Sequence, residues 1–231
     1  MPRLLLTIAM IAAASSACAE AQAERRPASF IDASTVAPGL MVEMRYFGSY
    51  NFVGRPIDGY ETPVCLLTRQ AAAALAQVVR DLAPQGLAVK VFDCYRPARA
   101  VANFVRWARD LADVARKSEF YPAVDKRNLF RDGYIAARSG HSRGSTLDLT
   151  LVRRADGQGN AQERDMGTPF DFFSPRSWPS DRRVSEAAQR NRALLAQSMH
   201  HRGFVPYGKE WWHFTLRHEP FRHTYFDFSV R

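Results

Sequence analysis

From Thr146 to Leu151 the chain alternates strictly. Leu147, Leu149 and Leu151 fall on one side of an extended strand, and Thr146, Asp148 and Thr150 on the other. The pattern predicts a strand that displays Asp148 on a polar face. Leu87 to Phe92, apolar except for Lys90, predicts a second strand, and the aromatic, β-prone run Trp211 to Leu216 a third. Thr68 to Leu82 has a polar start and an Ala-rich middle, with Pro84 and Gly86 beyond it to stop a helix. Pro97 opens a second helix over Ala98 to Leu111, with Val101, Phe104, Val105 and Trp107 on its apolar side. Ser185 caps a third, running to about Arg202 and ended by Gly203. Residues 24–38 read as an irregular lead-in. Tyr46 to Glu61, carrying Asn51, Gly54, Pro56 and Gly59, and Arg176 to Asp181 read as loops. Short strands, several helices and long connections predict an α+β fold rather than a doubly wound parallel sheet.

The length of 231 residues suits one domain with a sizeable core. At 46% hydrophobic and 24% charged, the composition excludes disordered and low-complexity classes. No apolar run reaches the ~18 residues needed to span a bilayer. The longest, Leu4 to Ala14, follows Arg3 and precedes the small-x-small sequences Ala19-Glu20-Ala21 and Ala21-Gln22-Ala23. Residues 1–23 therefore read as a secretory signal peptide, with 24–231 as the mature domain and the periplasm as its destination. Ser15-Ser16-Ala17-Cys18 is a weak lipidation signal, since it lacks a Leu three residues before the Cys. Cys65 and Cys94 remain in the mature chain, compatible with one disulfide or with two separate buried thiols. The formal charge of +9 is scattered, with no basic stripe interleaved with stacking aromatics, and this argues against nucleic acid as the partner.

Two of the six histidines stand in telling contexts. His141 is bracketed by Gly140 and Gly144 and precedes Asp148 by seven residues, so a loop imidazole and a strand carboxylate can converge on one divalent ion. The competing reading is a loop histidine beside an Asp paired with Arg143, and the spacing alone favours that simpler reading. His213 ends Glu210-Trp211-Trp212-His213. On a regular strand Glu210 and His213 face opposite ways, so they meet only if the chain bends near Gly208. The alternative is a buried aromatic strand with a hydrogen-bonded histidine. Together, His141, Asp148 and His213 supply three N/O ligands, which with one water is the arrangement of a catalytic zinc site. Glu210 would then be the general base, and Arg96, between a strand and Pro97, an oxyanion stabiliser or simply the partner of a surface carboxylate.

These segments resemble, in order, the zinc D-alanyl-D-alanine dipeptidases, the VanX-like family. The matching blocks are Tyr-Asn-Phe-Val-Gly-Arg-Pro (50–56), Tyr-Arg-Pro (95–97), Ser-Gly-His-Ser-Arg-Gly-Ser-Thr-Leu-Asp-Leu-Thr-Leu (139–151), Met-Gly-Thr-Pro-Phe-Asp-Phe (166–172), Glu-Trp-Trp-His (210–213) and Tyr-Phe-Asp-Phe (225–228). The resemblance runs from about residue 30 to the C-terminus. It implies a single α+β domain with a central antiparallel sheet flanked by helices, one Zn²⁺ per chain, and hydrolysis of D-Ala-D-Ala. Residue by residue, it implies zinc ligands at His141, Asp148 and His213, a catalytic base at Glu210 and a transition-state arginine at Arg96. Tyr46 and Asp171 match positions that help hold the substrate's ammonium, and Ser139 matches one that lines the small pocket.

The chain departs from that pattern in two places. The family's vancomycin-resistance enzyme, VanX, acts in the cytoplasm, so an exported relative would instead cleave dipeptide released from peptidoglycan, for turnover or scavenging. Gly140 stands where a serine is common in the family, which predicts a wider pocket. Two other functions compete: a carboxypeptidase or endopeptidase trimming longer murein peptides, and a wall-binding protein with a vestigial site.

Overall fold

The computed structural model describes residues 25–154 and 161–231; the expected signal peptide (1–23), with Cys18, lies outside them. The α+β expectation holds. A mixed sheet runs in the order β2-β4-β5-β8-β7, with β6 pairing the far end of β5. The strands are β2 (Met41–Val42), β4 (Leu87–Asp93), β5 (Thr146–Arg153), β6 (Gln162–Glu163), β7 (Phe204–Pro206) and β8 (His213–Leu216). Every pairing is antiparallel except β2 on β4. A separate ribbon pairs β1 (Phe30–Asp32) with β3 (Leu66–Thr68), so the lead-in contains a strand where an irregular segment was expected.

The helices fall where capping chemistry places them. In α1 (Arg69–Leu82), Thr68 accepts from the Ala71 N–H, and in α4 (Glu186–His201) Ser185 accepts from that of Ala188. Pro97 opens α2 (Ala98–Arg109). The short α3 (Lys117–Phe120) lies in the long connection to β5. Leu147, Leu149 and Leu151 are fully buried, as their alternation predicts, but Thr146, Thr150 and Asp148 on the other face are equally buried. The polar face of β5 is thus a covered site floor, not an exposed surface.

Four features of this frame aim the site. Asp93, Asp148 and His213 occupy one row across the sheet: Asp148 pairs with Asp93 on β4 and with His213 on β8. An irregularity between Val91 and Asp93 shifts the β4 register at the row's edge. Arg192 of α4, itself buried, donates to the carbonyls of Met166, Arg176 and Trp178 at 2.7–2.9 Å and so pins the 166–178 loop. Finally, Cys65 and Cys94 form a buried disulfide, resolving the choice left open above.

Candidate active site

All eight candidate residues line one cleft of about 280 Å³, together with Phe104, Phe173 and Trp212. This is close to the lower end of small-molecule pockets, a size for a small ligand rather than a polymer.

His141 lies in a 3₁₀ turn over Gly140–Arg143, where the Ser139 hydroxyl accepts from the His141 N–H at 3.3 Å. The turn closes on Gly144 at φ +81, where an added Cβ would come within 2.0 Å of Phe30, so only glycine fits. The His141 ring has Nδ1 2.7 Å from the Cys94 carbonyl. A carbonyl can only accept, so Nδ1 carries the proton and Nε2 presents its lone pair. That Nε2 lies 3.3 Å from both His213 Nδ1 and Asp148 Oδ2. Asp148 Oδ1 lies 3.1 Å from His213 Nδ1, yet this buried oxygen has no hydrogen bond.

This donor set fits a metal. Tetrahedral zinc at ~2.0–2.2 Å from N and O ligands separates the ligand atoms by about 3.3–3.5 Å; His141 Nε2 is 3.3 Å from both His213 Nδ1 and Asp148 Oδ2, and one ligand atom from each of the three residues lies within 4.8 Å of the others. An oxygen buried without a hydrogen bond and two converging imidazoles are what an ion between them would satisfy.

Glu210 reaches the site because the chain does bend: the His213 N–H donates to the Glu210 carbonyl at 3.4 Å, closing a turn immediately before β8. Glu210 Oε2 is then 3.5 Å from His213 Nδ1. Burial pushes its carboxyl up to about 7, against the opposing pull of His213. Arg96 is not paired with a surface carboxylate. Its Nε and Nη2 donate to the fully buried Asp93 at 2.9 and 2.8 Å, and its Cζ lies 5.0 Å from the Tyr46 ring and 5.1 Å from that of Phe104.

Asp171 is the one described non-glycine residue with positive φ, at 59°. Its Oδ2 accepts from the buried Tyr46 hydroxyl at 2.8 Å. Burial first, and then the Asp148 charge, push its carboxyl well above the usual range. Tyr46 therefore both lines the cleft and holds Asp171. Ser139 caps the histidine turn and also lines the cleft.

Gly140 does not widen the pocket. A Cβ there would meet Thr146 Oγ1 at 2.8 Å, so the missing side chain makes room for that hydroxyl. Sequence reasoning also missed Asp93, Tyr60 and the Cys94 carbonyl. Asp93 stands three residues before Arg96, a spacing without diagnostic value until the strand end is known.

A family model described as D-Ala-D-Ala dipeptidase matches residues 26–231. A D-alanyl-D-alanine dipeptidase of Enterococcus faecium is 37% identical over 196 residues, covering 85% of this chain and 95% of the relative. One from Streptomyces coelicolor is 38% identical over 201 residues, covering 87% and 96%. One from Escherichia coli is 36% identical over 186 residues, covering 80% and 83%. Among solved structures, the zinc-complexed vancomycin-resistance D,D-pentapeptidase VanY aligns at 13% identity over 70% of this chain and 78% of its own. The TM-score of that alignment is 0.40, too low to equate individual positions.

Proposed function

The chain belongs to the D-Ala-D-Ala dipeptidase family, and on that premise we propose that it hydrolyses D-Ala-D-Ala to D-alanine at the cleft just described, with zinc as cofactor. The observation that carries this reading is the convergence of His141 Nε2, Asp148 and His213 Nδ1 within 3.1–3.3 Å of one another, with Glu210 beside them.

His141, Asp148 and His213 would hold the ion. Zinc, when bound, supplies a Lewis acid that polarises a carbonyl and makes water nucleophilic near neutral pH. Glu210 takes the proton of the attacking water and returns it to the departing amine, a task for a carboxyl whose pKa lies near the working pH. Arg96 donates to the carbonyl oxygen as it gains negative charge. The Asp171 carboxylate, with Oδ2 held by Tyr46, receives the dipeptide's ammonium, and Ser139 lines the wall nearest His141. No nucleic acid takes part in this reading.

The site of action is the periplasm, on dipeptide released during peptidoglycan turnover. The N-terminal apolar run with its small-x-small sequences supports this, as does the Cys65–Cys94 disulfide, a bond suited to an oxidising compartment. Expression of the full chain in a Gram-negative host followed by fractionation tests it. An unprocessed product retained in the cytoplasm would refute export.

The activity is tested by comparing D-Ala-D-Ala with its N-acetylated form, using zinc-loaded protein spanning 24–231. Release of D-alanine from the free dipeptide alone is the expected result. Cleavage of the blocked peptide would make the chain a carboxypeptidase and leave Asp171 without its role.

A further inference from the structure

Asp93 has no part in the mechanism above, yet it is among the most completely engaged side chains in the molecule. It is 0% exposed and sits at the end of β4, beside the register shift. Its Oδ1 accepts from the Tyr60 hydroxyl at 2.6 Å, and its Oδ2 from Arg96 Nε at 2.9 Å and Nη2 at 2.8 Å. The same Arg96 Nη2 lies only 3.7 Å from Oδ2 of Asp148. Two carboxylates therefore compete for one guanidinium in a dry site. Asp93 wins because its Oδ2 accepts from two guanidinium nitrogens, Nε and Nη2, while its Oδ1 is held by Tyr60.

Resting on the reading above, we propose that Asp93 is a positioning residue with two effects exerted through Arg96. It fixes the guanidinium, which lines the cleft, where the oxyanion forms. It also holds the arginine off Asp148, so that this carboxylate stays free for the metal. His141 is outside this role: its Nδ1 is 2.7 Å from the Cys94 carbonyl and 3.4 Å from Asp93.

The test is a cycle of Asp93→Asn, Arg96→Ala and the double variant, each measured for D-Ala-D-Ala kinetics and for zinc affinity by chelator competition. Asp93→Asn should lower kcat on the order of 10–100-fold with little change in KM, and weaken zinc on the order of tenfold, in the range of outer-shell substitutions. In the Arg96→Ala background the same change should cost neither further kcat nor zinc affinity, because the group it governs is gone. A merely structural aspartate would give losses that add in both readouts, and that outcome overturns the proposal. Tyr60→Phe, which keeps the charge and removes one hydrogen bond, should give a smaller loss that also vanishes without Arg96; it serves if Asp93→Asn does not fold. An additive cycle on an active wild type sinks this proposal alone. A wild type that cleaves no dipeptide sinks it together with the functional reading.

Discussion

Asp148 and His213 stand directly opposite each other on neighbouring antiparallel strands, Oδ1 and Nδ1 3.1 Å apart. Their closeness is a property of the sheet, so two of the three proposed metal donors are set by backbone pairing before any ion arrives. Asp148→Ala or His213→Ala should leave secondary structure intact and abolish zinc binding, and His141→Ala should do the same. Full zinc content by plasma mass spectrometry in any of these would remove that residue from the ligand set. Zinc should also raise the melting temperature of the wild type, since an ion that binds only the folded chain at 1,000 times its Kd adds about 4 kcal/mol. A melting curve indifferent to chelation would contradict a site joining β5, β8 and the histidine turn.

Glu210→Gln keeps the shape of the side chain and removes its basicity. We expect retained zinc and a fall in kcat on the order of 10²–10⁴-fold. Turnover within a factor of three of wild type would mean that the proton is carried by another group.

Asp171 is buried, left-handed and raised in pKa, a costly combination. A carboxyl whose folded pKa lies above its unfolded value binds protons more tightly when folded. It thus opposes folding as pH rises through the window between the ordinary carboxylate pKa and its own raised one, and that cost persists above the window. Asp171→Asn, which tolerates left-handed backbone and carries no charge, should stabilise the protein at neutral pH by on the order of 1 kcal/mol. The same change should raise KM for the free dipeptide sharply. In the wild type, KM should rise as pH falls and Asp171 protonates. A variant less stable than wild type, with unaltered KM, would contradict both parts.

At Gly140 the expectation of a wider pocket gives way to packing. Gly140→Ser places Cβ against Thr146 Oγ1, which is 2.9 Å from Thr215 Oγ1 across the β5–β8 pair. We expect a loss of about 1–3 kcal/mol in thermal unfolding, with no change in the preference for D-Ala-D-Ala over bulkier D,D-dipeptides. A narrowed substrate range at undiminished stability would restore the pocket-widening view.

How far the sequence could be read depended on whether the signal was local. Thr68, Pro97, Ser185 and Gly203 act on their own neighbours, and the helices they bound lie within a residue or two of expectation. The Leu147-Leu149-Leu151 alternation likewise located β5 and the side on which Asp148 lies. By contrast, β1 has three residues and exists through pairing with β3, more than thirty residues away, so nothing within it announced a strand. Seven of the eight site residues were visible in motif blocks and Tyr46 only through a less distinctive neighbourhood, but what holds them was not. Asp93 is joined to Arg96, three residues on, only once β4 has ended, and to Tyr60 from a segment thirty-three residues away. The carbonyl that sets the His141 tautomer belongs to Cys94, a residue whose side chain suggested a disulfide or a buried thiol and nothing about the site. The left-handed backbone at Asp171 had no glycine to flag it.

The row Asp93–Asp148–His213 has one more consequence. Leu147 and Leu149, the neighbours of Asp148, are fully buried on the opposite face of β5. A slip of one residue against β4 or β8 would put a leucine where the carboxylate belongs and drive Asp148 into the apolar side. No such misfold can keep its core and lose only its chemistry. The packing of two leucines thereby proofreads the metal site: a chain that has folded tightly has, by the same act, set its Asp–His pair in place.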